Sequence, residues 1–269
     1  MRYRLQRHDG TDCSATMVPI TVLRMVPIQR YRQKFNLREN GEVDKDDKNG
    51  KISEAFKPIA EMILSGYFKV SKNNSASYVT VHPTCVEMYY HEEGEGDDKI
   101  KDYIVYHRNS NDGKKEVSVF PLGVLHNHVS GIDLTFERMG ENNNPIRFSA
   151  LIREFWVDKS HKIEESHENY GEENIKAYTE SNPEKRSTYL YEALYSQYSV
   201  FDGFSVQWVD GNEDERKEIR CVKNRLNVAE YDHFEKIPAS KTKEQLTKNK
   251  NYKQCQRMWS YSINEDKTK

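Results

Sequence analysis

Residues 78–90 run Tyr78-Val79-Thr80-Val81-His82-Pro83-Thr84-Cys85-Val86-Glu87-Met88-Tyr89-Tyr90. The stretch follows the turn signal Asn73-Asn74, is rich in Val, Thr and Tyr, and predicts a long β-strand. With a two-residue period Val79, Val81, Cys85, Glu87 and Tyr89 share one face, which sets Glu87 on an otherwise apolar or aromatic surface. A carboxylate on a buried face is costly unless it is paired or used. Arg153, in the apolar run Ser149-Ala150-Leu151-Ile152-Arg153-Glu154-Phe155, is the partner the sequence offers. An arginine beside a carboxylate can hold a water and a phosphate through its fork of donors, and the same pair can be a buried structural salt bridge.

Outward from this strand the pattern is α+β. Ala55, Phe56, Ile59, Met62 and Ile63 make one apolar helical face that opens at Ser53 and closes at Gly66. Further strands are predicted at about 117–126, 131–137 and 146–157, and at 203–209; Ile132, Leu134 and Phe136 alternate with Asp133, Thr135 and Glu137. Asn182-Pro183 predicts a helix start, with Tyr189, Leu190, Ala193, Leu194 and Gln197 on its face. Residues 91–115 form a long charged loop and 211–217 a turn. The prediction is an antiparallel, hairpin-rich sheet with a few flanking helices. Three parts are expected: an extended segment and charged loop over 1–50, a folded domain over 51–235, and a lysine-rich surface segment over 236–269.

The chain has 269 residues, 43 acidic and 41 basic, a net charge of -2 and 36% hydrophobic residues. That suits one modest core, and it excludes a protein that grips nucleic acid by bulk charge, while a local basic face stays open. No apolar run approaches spanning length and the first residues are polar, so the sequence predicts a cytoplasmic protein with no membrane partner. The cysteines Cys13, Cys85, Cys221 and Cys255 form no CxxC pair and are expected as reduced structural thiols.

Leu125-His126-Asn127-His128 spells HNH, but three adjacent letters on a strand alternate between faces and carry no nuclease chemistry. His126 and His128 share a face, and with no third ligand nearby in sequence no metal is assigned. Tyr89, Tyr90, Tyr103 and Tyr106 cluster around Glu87; such tyrosines suit stacking on a planar base and equally suit half-buried packing.

The order of these pieces resembles the alkyladenine (3-methyladenine) DNA glycosylases. It is carried by Ala60-Glu61-Met62-Ile63-Leu64, by Cys85-Val86-Glu87-Met88-Tyr89, and by Asp102-Tyr103-Ile104-Val105-Tyr106-His107. It continues in Ser130-Gly131-Ile132-Asp133-Leu134-Thr135-Phe136-Glu137 and Ala150-Leu151-Ile152-Arg153, with a faint echo in Asn224-Arg225-Leu226-Asn227-Val228. The chain is more similar still to an uncharacterised bacterial branch of that fold marked by a G-L/I-D-L/I-T-F stretch and a following L-I-R. The likeness spans about 100 of 269 residues.

The resemblance implies a curved, largely antiparallel sheet or partial barrel, DNA with a modified base as partner, and hydrolysis without metal or organic cofactor. Glu87 would be the general base that deprotonates the attacking water, and Arg153 would orient that water or a phosphate. Tyr89 and His107 would sandwich the extruded base, with Tyr106 and Glu137 lining its pocket. Ser130 stands where the family has a tyrosine wedge, Glu137 where it has a pocket asparagine, and the loop from Asp102 to His107 carries one extra residue. An acid at position 137 implies a different base preference. A non-catalytic module binding a modified nucleotide, or an interaction protein reusing the fold, for instance in phage–host conflict, are the other classes the sequence admits; it names no protein partner.

Overall fold

The computed structural model describes residues 51–95, 99–102, 105, 107–109, 117–140, 143–163, 178–211, 217–225 and 257–264, with the backbone of two short paired strands, β1 (Leu5–Gln6) and β2 (Asp12–Cys13). Helix α1 (Lys51–Ser65) leads into β3 (Tyr67–Lys72) and the long β4 (Tyr78–Glu92). There follow β5 (Leu125–His128), β6 (Gly131–Thr135), β7 (Arg138–Met139) and β8 (Pro145–Asp158). A 3-10 turn (Ser187–Tyr189) enters the short helix α2 (Leu190–Tyr195), and β9 (Phe204–Val209), β10 (Cys221–Lys223) and β11 (Ser260–Ser262) complete the set.

Strands β3 to β11 make one nine-stranded antiparallel sheet that curls into a half-barrel, an α+β architecture with few helices, while β1 and β2 pair only with each other. Its main path is β10-β11-β4-β8-β6-β5, while β3 lies along the first part of β4 and carries β9 beyond it. Strand β11 pairs with the second part of β4, Ser260 opposite Glu87. Residues 257–264, predicted as part of a surface segment, therefore belong to the domain, with Trp259 and Tyr261 fully buried. The Ser53 hydroxyl does not cap α1; it donates to the Met258 carbonyl, and Tyr261 Oη donates to the Ser53 carbonyl, stitching the helix to β11.

Two compensating irregularities decide which residues face where. Pro83 pairs with Phe155, Cys85 with Glu154 and Val86 with Ile152, so Thr84 is an extra residue on β4 and Arg153 an extra residue on β8. Pro83 has no N–H for the ladder, which suits a break there. Before the break Val79, Val81, Phe155 and Val157 enter the apolar core; after it Val86, Met88, Tyr90, Ile152, Ala150 and Phe148 do. The expectation that Glu87 and Tyr89 share a face with Val79 and Val81 is thus corrected: the bulge turns Glu87, Tyr89 and His91 to the opposite side. The core face is closed by Phe56, Ile59, Ala60 and Ile63 of α1, with Phe56 packed on Phe148 and edge-on to Trp259.

Two further sequence expectations fail for local reasons. Residues 117–124 are not a strand, because side chains satisfy their backbone. Val117 N–H donates to Asn109, Phe120 N–H donates to Glu137, and the Val117 and Ser118 carbonyls accept from Arg147. Pro183 does not start a helix: Asn182 bridges to Thr179, and Glu184 bridges to Phe155 of β8, so helical structure begins only at Ser187. The expectations for residues 14–34 and for the lysine-rich run 237–253 lie outside the described residues, as do Tyr103 and Tyr106.

Candidate functional site

Directly opposed residues of antiparallel strands share a face. One row across the sheet reads Ser260, Glu87, Leu151, Asp133, His126, and the next reads Tyr89, Ser149, Thr135. The face turned away from α1 is therefore lined by polar and ionisable groups that are nevertheless buried, among them Glu87, His91, Glu93, Asp102, His107, Asp133, Glu137 and Arg147. Burial without compensation would be prohibitive. The groups fall into three connected clusters.

The first unites the expected acid and arginine. Glu87 is fully buried; its Oε2 accepts a hydrogen bond from Tyr89 Oη at 3.0 Å and lies 3.3 Å from Arg153 Nε. The bulge that gives Arg153 no ladder partner re-aims it at this carboxylate. Its Nε is buried and finds no hydrogen-bond partner among the described residues, so the contact with Glu87 is ionic without hydrogen-bond alignment. Arg153 Nη1 reaches Ser187 Oγ at 3.5 Å, and that hydroxyl donates to the Ser130 carbonyl. The sealed carboxylate sits beneath Tyr89 and Arg153, which keep only slight exposure, the Arg153 side chain 11%. Burial and the Glu87 charge hold the Tyr89 phenol well above its ordinary range. Cys85, one row away, is pushed up to about 12 by burial and by Glu154, which makes it an inert thiol.

The second cluster is the Asp102–Arg225 pair, which sequence spacing did not suggest. Arg225 Nη1 and Nη2 donate to the two Asp102 oxygens at 2.7 and 3.1 Å, and Nη1 also donates to the Met88 carbonyl at 3.1 Å. Burial raises the Asp102 carboxyl, but the charge and hydrogen bonds of Arg225 outweigh it and hold the group below its ordinary value. The guanidinium stacks over Tyr89 at 4.7 Å and Trp259 at 5.0 Å, joining this pair to the first cluster.

The third gathers His107, His126, His128, Asp133 and Glu137. His107 Nδ1 lies 3.9 Å from Asp133 Oδ2, its Nε2 contacts Glu137 Oε1, and His128 Nε2 lies 3.3 Å from Asp133 Oδ1. Burial, then the neighbouring His107, lowers the His126 pKa and favours the neutral ring. Glu137 has no side-chain exposure; Oε2 accepts from the Phe120 amide at 2.7 Å and from Arg147 Nη1 at 3.1 Å. Arg147, itself fully buried, also donates to Glu93 Oε1 at 3.2 Å. Burial would raise the Glu93 carboxyl, but hydrogen bonds from His91, the Asn109 amide and Arg147 bring it down to about 2.

Of the residues singled out from sequence, Glu87, Tyr89 and Arg153 come together. His107 and Glu137 come together in the third cluster; the contacts of His107 are with Phe120, His126, Asp133 and Glu137, and those of Tyr89 with Glu87 and Arg225. Tyr106 lies outside the described residues. The missed members, Asp133 and the pairing of Asp102 with Arg225, had only weak signals. The two-residue turn Val129-Ser130 sets His126 opposite Asp133, and that register was available from the sequence. A shallow pocket between Trp156, Asp158, Tyr178 and Glu180 contains none of these residues. No protein-family model, curated protein or solved structure matches this chain. Among the described residues no helix is long and apolar enough to cross a membrane.

Proposed function

We propose that the polar face of the half-barrel is a hydrolytic site that cleaves the N-glycosidic bond of a modified base in DNA, with Glu87 as general base. The observation that supports this reading is the contact set Glu87–Tyr89–Arg153, drawn from two strands and converging on one carboxylate oxygen. Glu87 takes a proton from water; the water oxygen bonds to the sugar C1′ as the C1′–N bond breaks, and the base leaves with the bonding pair and takes up a proton from solvent. Arg153, whose Nε retains unused hydrogen-bonding capacity, orients the water or an adjacent phosphate. Tyr89 fixes the carboxylate through its hydroxyl and offers its ring to the base. Glu137 and His107 take no direct part in base contact in this reading, because they lie against each other in the third cluster and Glu137 is also held by Arg147. The glycosylase-like fold and cytoplasmic DNA as partner belong to the same proposal.

A second reading, a non-catalytic module that binds a modified nucleotide on the same face, is favoured by one observation: Glu87 is fully buried and already ion-paired. A panel of duplex and single-stranded oligonucleotides carrying modified bases separates the two. Abasic sites accumulating with protein concentration support hydrolysis. Saturable binding to one modified strand with no base release supports the module and overturns the hydrolytic reading.

A further inference from the structure

His126 and Asp133 face each other across the β5–β6 hairpin, and His107 reaches them from the segment after Asp102. One ligand atom from each of the three lies within 4.8 Å of the other two. We propose that His107, His126 and Asp133 bind a single divalent first-row metal ion of the Zn2+ and Co2+ class. Two imidazoles and a carboxylate form a donor set these ions favour, and three protein ligands leave a position for water or an anionic substrate oxygen. The proposal does not rest on the hydrolytic reading. Glu87 stands two strands away in the same row, roughly 10 Å at ordinary strand spacing.

Metal-binding histidines characteristically donate their other ring nitrogen to a carboxylate, which fixes tautomer and ring orientation. His107 Nε2 faces such a carboxylate, Glu137 Oε1, in close contact but without hydrogen-bond alignment, and Glu137 is itself anchored through Oε2 by the Phe120 amide and Arg147. The inward Nδ1 is buried and has no hydrogen-bond partner among the described residues, although Asp133 Oδ2 lies 3.9 Å away. Asp133 is oriented by Ser149 Oγ, which donates at 3.1 Å to Oδ2, while His128 Nε2 lies 3.3 Å from Oδ1. Ligand atoms around a tetrahedral ion stand roughly 3.3 Å apart for bonds of about 2.0–2.1 Å.

The test uses the full chain, stripped of metal with a chelator and titrated with Co2+ and, in competition, with Zn2+. The expected result is one Co2+ per chain with visible ligand-field bands of a nitrogen–oxygen site, displaced by Zn2+. Binding should weaken at least tenfold in both His126→Ala and Asp133→Asn. Should either variant fail to fold, X-ray absorption on the Zn2+-loaded wild type must show scattering from two imidazoles. No stoichiometric binding, affinity unchanged in the folded variants, or fewer than two imidazoles around the ion would each overturn the proposal.

Discussion

Replacing Arg225 with methionine leaves the Asp102 carboxylate buried without the guanidinium that bonds both its oxygens, the charge of Arg257 remaining nearby; both the Asp102 and Arg225 side chains are wholly inaccessible. Breaking one side of a buried, hydrogen-bonded pair costs about 3–5 kcal/mol, because the remaining charge keeps its desolvation penalty and loses its compensation. In a domain of this size that corresponds to a fall in Tm of roughly 6–20 °C. The lost donation to the Met88 carbonyl and the stacking on Tyr89 and Trp259 act in the same direction. Thermal and urea unfolding of Arg225→Met, Asp102→Leu and the double variant measures the effect. The double variant, which removes both charges, should be more stable than Arg225→Met alone. The pH dependence follows the same logic. Asp102 has a lowered folded pKa, so the pair's contribution is fully present above the ordinary carboxyl value of 3.8 and is lost as pH falls through the folded value. A loss under about 1 kcal/mol in Arg225→Met, or a double variant as unstable as the two losses summed, would show that the pair is not held as a desolvated, mutually compensating unit.

Two smaller predictions rest on other parts of the sheet. A Cβ at Gly66 would lie 2.3 Å from Trp208 Cζ2 and 2.8 Å from the Val209 carbonyl, so Gly66→Ala should lose about 1–3 kcal/mol by overpacking where α1 meets β3 and β9. An unchanged urea midpoint would contradict that. His82 stacks on Trp156 at 4.1 Å, and burial, then the Lys217 charge, lowers its pKa to about 4. Its folded pKa is depressed below 6.5, so the stability it contributes is present above pH 6.5 and is lost as pH falls through 4. In His82→Phe the fall in stability over that window should shrink and any step in Trp156 fluorescence near pH 4 should vanish; persistence of both would assign them elsewhere.

The amphipathic α1 and the long strands β4, β8 and β9 were legible because their apolar periods are long and their residue types agree. What period counting missed was the change of face at Thr84 and Arg153, where each strand spends one residue outside the ladder. Pro83 was the available cue, and reading it would have set Glu87 on the polar side from the start. Strand β11 has only three residues inside a charged tail, too short for a periodic signal, yet it lies directly against Glu87. The acid and its arginine were legible because each stood out in an apolar run. Asp102 with Arg225 and His107 with Asp133 were not, since they meet only through tertiary closure across long sequence separations.

The hydrolytic proposal turns on one comparison: single-turnover release of free base by wild type and by Glu87→Gln, on whichever modified oligonucleotide the panel selects. Glutamine keeps the size of the side chain and a partner for Tyr89 Oη but cannot accept the water proton. Glu87→Gln should be folded and DNA-binding with base release reduced at least a hundredfold, about 10²–10⁴ being the usual share of a general base. Release by Glu87→Gln at the wild-type rate would contradict the hydrolytic proposal.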